Sequence, residues 1–263
     1  MTNSSTSPQW LADEYEQGND GQFKAALEAL DKISDATFPD ERKAVDVGCG
    51  SGKFAACLAQ QGWRVDATDV SESMVEATQK RCIDLPVNAS VCDASKLTLE
   101  KNHYDLVTSF WMLHWLVDAT PTLKQMADAV KENGYALLQW SCGQPRAQGF
   151  VLRDTIQEVF DRPKWSSKLK AAPLTMYQLP IEDVTAFFEN NGFEVISVRE
   201  NVQVGGGETP ESLKRALRSA AFAAQTVILG DEVDELIDEC LALLMQRNAL
   251  QVANTELVVK RKR

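Results

Sequence analysis

Apolar and polar positions alternate in blocks along the first half of the chain, with short continuous apolar runs set between longer helical stripes. Residues 22–33 place Phe23, Ala26, Leu27, Leu30 and Ile33 on one face of a helix. A Phe38-Pro39-Asp40 turn follows, and the apolar run 43–47 predicts a strand that leads into glycines. The pattern next predicts a helix over 53–61, a strand over 64–68 and a helix over 71–81. Ser71 suits the N-cap of that helix, with Met74, Val75 and Thr78 facing inward. Strands are predicted at 88–92 and 104–110, then a helix over 120–132 and a fifth strand at 135–140 after Asn133-Gly134. Strands alternating with helices imply βαβ units, hence an α/β, doubly wound, mostly parallel sheet covered on both faces.

The second half changes character. Residues 147–170 read as helical and carry exposed-looking aromatics, Phe150, Phe160 and Trp165. A helix over 180–190 ends at Asn191-Gly192, before a strand over 193–204 and a break at Gly205-Gly206-Gly207. Two long helical patterns follow at 209–228 and 231–250, and a last strand at 255–260. No internal repeat or long linker divides the chain. A single domain is expected, with a core of 40–140 plus 190–204 and 255–260. The helices of 1–33, 145–180 and 208–252 would then cap the sheet.

Charge narrows the partners. The 263 residues carry 27 basic and 38 acidic side chains, a net −11, so phosphate backbones and anionic membranes repel the protein. No run approaches the length of a membrane helix, and the polar first residues do not resemble a signal, so the expected location is cytoplasmic. The six cysteines form no C-x-x-C pair, and with only two histidines no metal site is expected.

The sharpest chemical signal is Ala44-Val45-Asp46-Val47-Gly48-Cys49-Gly50-Ser51-Gly52. A strand that ends in Gly-x-Gly-x-Gly and enters a helix brings backbone close to a ligand. Asp46 precedes the loop, where a carboxylate can face a cationic group. Asp69 ends the second strand, where an acid can bind ribose hydroxyls, and Asp93 follows the third. The third glycine falls one place early for a pyrophosphate fingerprint, because Lys53 stands where that glycine belongs. An adenosine joined to a cationic methionine fits better than NAD.

These segments, with Ala67-Thr68-Asp69-Val70-Ser71-Glu72-Ser73-Met74, Cys92-Asp93-Ala94 and Tyr104-Asp105-Leu106-Val107, resemble the ordered motifs of class I S-adenosylmethionine-dependent methyltransferases. The resemblance covers residues 40–140. It implies a seven-stranded sheet with one antiparallel edge strand, and S-adenosyl-L-methionine as cofactor. It also implies a cofactor site drawn from Asp46, Gly48, Gly50, Gly52, Asp69, Val70, Met74, Asp93, Ala94, Ser109 and Phe110.

The acceptor is read from the end of the fourth strand, Ser109-Phe110-Trp111-Met112-Leu113-His114-Trp115. Trp111 reads first as core packing among apolar neighbours. His114 is either a general base or a polar rim residue. The segment is similar to that of the carboxylic-acid O-methyltransferases of the salicylate, juvenile hormone acid and trans-aconitate types. In the first two groups a glutamine of the N-terminal helix and this tryptophan donate hydrogen bonds to the substrate carboxylate. That resemblance assigns the roles to Gln22 and Trp115. The expected substrate is a small or medium organic acid with apolar parts, covered by Trp10, Tyr15, Phe150, Trp165, Met176, Tyr177 and Phe222, each of which reads equally as interior packing between cap helices. No pair of arginines is obvious as a clamp for a tricarboxylate, for which Arg146, Arg153, Arg215 and Arg218 are the candidates. Two other readings stay open: an amine, phenol or carbon acceptor with His114 as base, and a non-catalytic cofactor-binding protein. The oligomeric state is not legible.

Overall fold

The computed structural model describes Ala12, Glu16 and residues 20–204, 210–250 and 252–263. Trp10, Tyr15 and the Gly205-Gly206-Gly207 break lie outside the described residues. Strands and helices alternate as α1 (Asp20–Asp31), β1 (Lys43–Val47), α2 (Lys53–Gln60), β2 (Arg64–Asp69), α3 (Glu72–Arg81), β3 (Val87–Val91), β4 (Tyr104–Phe110), α4 (Thr120–Ala129) and β5 (Val130–Trp140). Then come α5 (Val151–Phe160), α6 (Ile181–Asn190), β6 (Phe193–Glu200), α7 (Pro210–Ser219), α8 (Ala223–Leu229), α9 (Val233–Gln246) and β7 (Thr255–Arg261).

The seven strands form one sheet in the order β3-β2-β1-β4-β5-β7-β6. All pairings from β3 to β5 are parallel, and β7 runs antiparallel to both β5 and β6, one strand in from that edge. The near-continuous apolar strands follow from burial on both faces. Val45, Val47, Val107, Leu138 and Leu257 pack with Met126 of α4 and Phe188 of α6. Alternate positions Ala44, Val65, Leu106, Leu137 and Val258 pack with Ala29 of α1 and Phe54 and Leu58 of α2. A third apolar cluster belongs to the cap, where Ile156 and Phe160 of α5 meet Phe222 and Leu236, Ile237 and Leu244 of α9.

Several boundaries differ from the expected ones. The helix predicted over 120–132 stops at Ala129, and β5 starts at once and runs through Asn133-Gly134. Asn133 takes a left-handed φ of 62°, so the pair kinks the strand instead of separating two elements. The helix predicted over 147–170 breaks after Phe160, since Pro163 opens a separate single turn. Phe160 and Trp165 are buried in the cap cluster, not exposed. The strand predicted to 204 ends at Glu200, and the two late helical patterns resolve into three helices. Ser71 does cap α3: its Oγ accepts the Met74 N–H at 3.4 Å.

Candidate functional site

The carboxyl ends of β1, β2 and β4 open onto one cavity of about 750 Å³ that continues under the cap helices. A recess of about 60 Å³ beneath the glycine loop adjoins it, sharing Gln22, Gly48, Gly50, Phe110 and Trp111 as walls.

The loop is pinned from several sides. The Gly48 and Cys49 N–H groups both donate to the Thr68 carbonyl, at 2.7 and 2.9 Å. The Asp69 carboxylate accepts the Gly50 N–H on one oxygen and the Ser71 N–H on the other, each at 2.9 Å. Burial pushes the Asp69 carboxyl above its ordinary value, against these backbone bonds. Gly48 has φ +78°, and a Cβ there would lie 2.6 Å from the Met112 side chain. Only glycine lets the chain turn at that point without filling the space above the loop.

Gln22, Gly48, Gly50, Asp69, Val70, Met74, Asp93, Ala94, Phe110, His114 and Trp115 all line the large cavity. Asp46 lines the recess and is 2% exposed. Its Oδ1 accepts the Thr108 hydroxyl at 2.8 Å, yet burial pushes the carboxyl up to about 7, with the Asp69 charge adding to the rise. Asp93 accepts the Ser95 N–H and hydroxyl. Burial opposes ionisation there, but the Ser95 and Lys96 contacts outweigh it and hold the carboxyl below its usual range.

Two expected cofactor residues stand elsewhere. Ser109 is fully buried and its hydroxyl donates to the Val47 carbonyl at 2.9 Å, joining β4 to β1. Gly52, at φ +77°, packs on Thr78 as α2 begins, and neither residue lines the cavity. Trp115 is corrected too. Its ring lines the cavity, but its indole N–H donates to the Trp111 carbonyl at 3.0 Å, because the short helical turn Leu113–Trp115 folds the ring back over its own strand end.

His114 is neither a rim residue nor an ordinary base. It is 5% exposed, and burial alone lowers its imidazolium pKa to about 3. Nδ1 accepts the Ser141 N–H at 3.3 Å, so the neutral ring carries its proton on Nε2. Nε2 itself has no hydrogen-bond partner among the described residues.

Trp111 is the wall residue that sequence reading missed. It does pack in a small core with Ala25 and Val202, but it also lines both cavity and recess at a left-handed φ of 63°. A bulky residue there is strained, and no sequence signal marks it. Gln139 helps hold it. The Gln139 carbonyl accepts the Trp111 N–H at 2.7 Å, while its side-chain amide donates to Ala25 of α1 and to the buried Glu256.

Of the expected cover, Met176 and Phe222 line the cavity, whereas Phe150, Trp165 and Tyr177 do not. The arginine clamp does not form. Arg146 pairs with Asp183, Arg153 donates to the Met176 carbonyl, Arg218 pairs with Asp234, and Arg215 is exposed. Among the described lining residues the charged ones are Asp69, Asp93 and Asp118, with no lysine or arginine.

A family model described as a methyltransferase domain matches residues 45–138. Phosphoethanolamine N-methyltransferase 1 of Caenorhabditis elegans is 28% identical over 151 residues, 55% of this chain and 30% of that protein. The ubiquinone biosynthesis O-methyltransferase of Saccharophagus degradans is 28% identical over 142 residues, 51% of this chain and 59% of that protein. The chain therefore spans less than two thirds of the length of these curated relatives. Among solved structures, Haemonchus contortus phosphoethanolamine N-methyltransferase 2 in complex with S-adenosyl-L-methionine has a TM-score of 0.63 at 16% identity, over 96% of this chain and 57% of that one. That likeness is one of fold.

Residues 45–138 thus resemble a methyltransferase domain, and the seven-stranded sheet is shared with solved methyltransferase structures as a fold. The residues present fit S-adenosylmethionine as cofactor: a loop kept open by Gly48, an acid at the end of β2 and a buried acid with an elevated pKa beneath.

Proposed function

We propose that the chain acts as one unit and transfers a methyl group to the carboxylate of a small organic acid. S-Adenosylmethionine supplies that methyl group from its sulfonium centre. Asp69 would hold the ribose hydroxyls with the oxygen lone pairs that its backbone contacts leave over, and Asp93, Val70, Met74 and Ala94 would border the adenine. Asp46 would face the methionine ammonium.

The observation that carries the carboxylate reading is the state of His114. Burial that lowers the His114 imidazolium pKa to about 3 makes it a poor proton acceptor for a phenol or an ammonium near neutrality. Asp93 and Asp118, the other acids on that side, are both held below the ordinary carboxylate range, Asp118 by hydrogen bonds from Thr120. A carboxylate acceptor needs no base, since it is ionised already. The Gln22 amide and the His114 Nε2–H would orient it through neutral donors. With no cationic side chain on the described wall, its charge stays available for attack. The same wall disfavours a phosphate-bearing acceptor such as the name of the C. elegans relative indicates.

At saturating cofactor, methyl transfer should therefore show a flat rate between about pH 6 and 8, since a carboxylate acceptor has no proton to lose there. His114→Gln, which keeps a donor, should retain activity to within about tenfold. Gln22→Ala should lower kcat/KM by roughly ten- to a hundredfold, the loss of one or more oriented hydrogen bonds. A dead His114→Gln enzyme with a rate that climbs with pH would replace this reading with base-assisted methylation.

Cofactor affinity, unlike turnover at saturation, should depend on pH. The free carboxyl of Asp46 sits near 7, and a cation beside it lowers that value, so binding expels a proton from the protonated form. Affinity for S-adenosylhomocysteine should fall as pH drops below 7, by about tenfold per unit in the limit. Calorimetry from pH 7.5 to 5.5 measures this, and Asp46→Asn should flatten the curve. An unchanged slope in that variant would remove Asp46 from the cofactor site.

A further inference from the structure

We propose that the acceptor is an amphipathic acid with a long hydrocarbon chain, its carboxylate at Gln22 and His114 and its chain threaded into the cap. The inference rests on the methyl-transfer reading and deepens it to a substrate class. The cavity does not end at the strand tips. It runs on between the cap helices, where Leu152 and Ile156 of α5 face Leu217 of α7, Phe222, and Leu241 and Leu244 of α9. Leu217 and Leu241 are only half-buried and lie against the cap core without being enclosed by it, so part of their apolar surface faces the open space.

Two further features point the same way. At the cavity's margin Val117, Leu250 and Val252 are exposed apolar side chains, 80%, 41% and 43% accessible, on a protein whose net charge is −11. Exposed large apolar groups on the wall of one cavity mark a surface that an apolar ligand covers. Apart from Thr175, the chamber between the cap helices is lined by apolar side chains and Cys240, and no described lining residue is a cation that a second carboxylate or a phosphate would need. A compact polyacid would leave the chamber wet and its own charges unpaired. A single carboxylate with a hydrocarbon body satisfies both ends.

Each methylene moved from water into such a chamber contributes about 0.8 kcal/mol, or roughly fourfold in affinity. The test is a series of straight-chain monocarboxylic acids from four to sixteen carbons, assayed for methyl transfer by mass detection. Their binding to the S-adenosylhomocysteine complex is measured in parallel by calorimetry. The expected result is a kcat/KM that climbs about fourfold per carbon over several members and then levels off where the chamber is full. Ala221→Trp, which places a large ring on the chamber wall, should move that break to shorter acids. A flat series, or a preference for short di- and tricarboxylates, would overturn the inference while leaving carboxylate methylation in place. Alkyl alcohols or amines that bind with the same chain-length climb, with no acid ever methylated, would support the chamber and sink the carboxylate reading.

Discussion

Asp69→Ala should abolish tight cofactor binding, with S-adenosylhomocysteine affinity reduced about a hundredfold or more in calorimetry. The carboxylate has two proposed tasks at once. Facing inward, its two oxygens accept the N–H groups of Gly50 and Ser71 and so fix the glycine loop and the entry to α3. Facing the cavity, it would accept the ribose hydroxyls. Hydrogen bonds to an ionised acceptor contribute about 1.5–3 kcal/mol each, and the alanine leaves both amides with no local partner. Asp69→Asn should be milder for the loop, since one oxygen remains, but still poor for ribose. Parent-like affinity in the alanine variant would show that the nucleoside lies elsewhere.

Gly21→Ala should lower kcat/KM by about a hundredfold with little change in the glycine loop, because α1 is seated on bare backbone. A Cβ on Gly21 would fall 1.3 Å from the Val204 carbonyl oxygen, so α1 and the segment after β6 cannot keep their present approach. Both neighbours matter to the acceptor side: Gln22 and Val204 line the cavity. Displacement of a positioning group by about 1 Å can cost on the order of a hundredfold in rate. Cofactor affinity should change less, since α1 gives the recess only Gln22, Phe23 and Ala26 while Asp69 and Gly48 lie on other elements. Full activity in Gly21→Ala would mean that α1 plays no part in holding the acceptor. Equal losses of cofactor and acceptor binding would point to general unfolding, which a melting curve would reveal.

The walls of the proposed cofactor pocket were legible because the chemistry expected there demands particular residue types at strand ends. Glycines after β1 and acids after β2 and β3 carry that information in their identity and spacing. All of them except Gly52 reach the cavity or its recess. What sequence could not give was the choice of partner. The Ser109 hydroxyl finds the Val47 carbonyl, and the Trp115 indole finds the Trp111 carbonyl, through approaches that the sheet and one short turn create. His114 reads as a titratable side chain until the fold buries it beside Ser141. Trp111 carries no mark at all, since an aromatic residue gives no hint of a positive φ. Element boundaries failed for local reasons: Asn133-Gly134 kinks a strand that it was expected to precede, and Pro163 divides a helix whose periodicity continued across it.

The position of β7 bears on how the molecule assembles. Residues 43–140 can pair β1 to β5 among themselves, each strand meeting neighbours within about sixty-five positions along the chain. Strand β7 then inserts between β5 and β6, so Trp140 meets Thr255, and Gln139 and the half-buried Arg199 converge on the buried Glu256. That insertion closes a loop of more than a hundred residues and must wait for the cap helices to emerge. Contacts so distant along the chain are slow to form. Until they do, the outer edge of β5 stays open as a template for strands of other molecules. A nascent chain would thus hold the β1–β5 half with its glycine loop well before the wall that seats α1, and yield in expression should be limited by this late strand insertion more than by the first half.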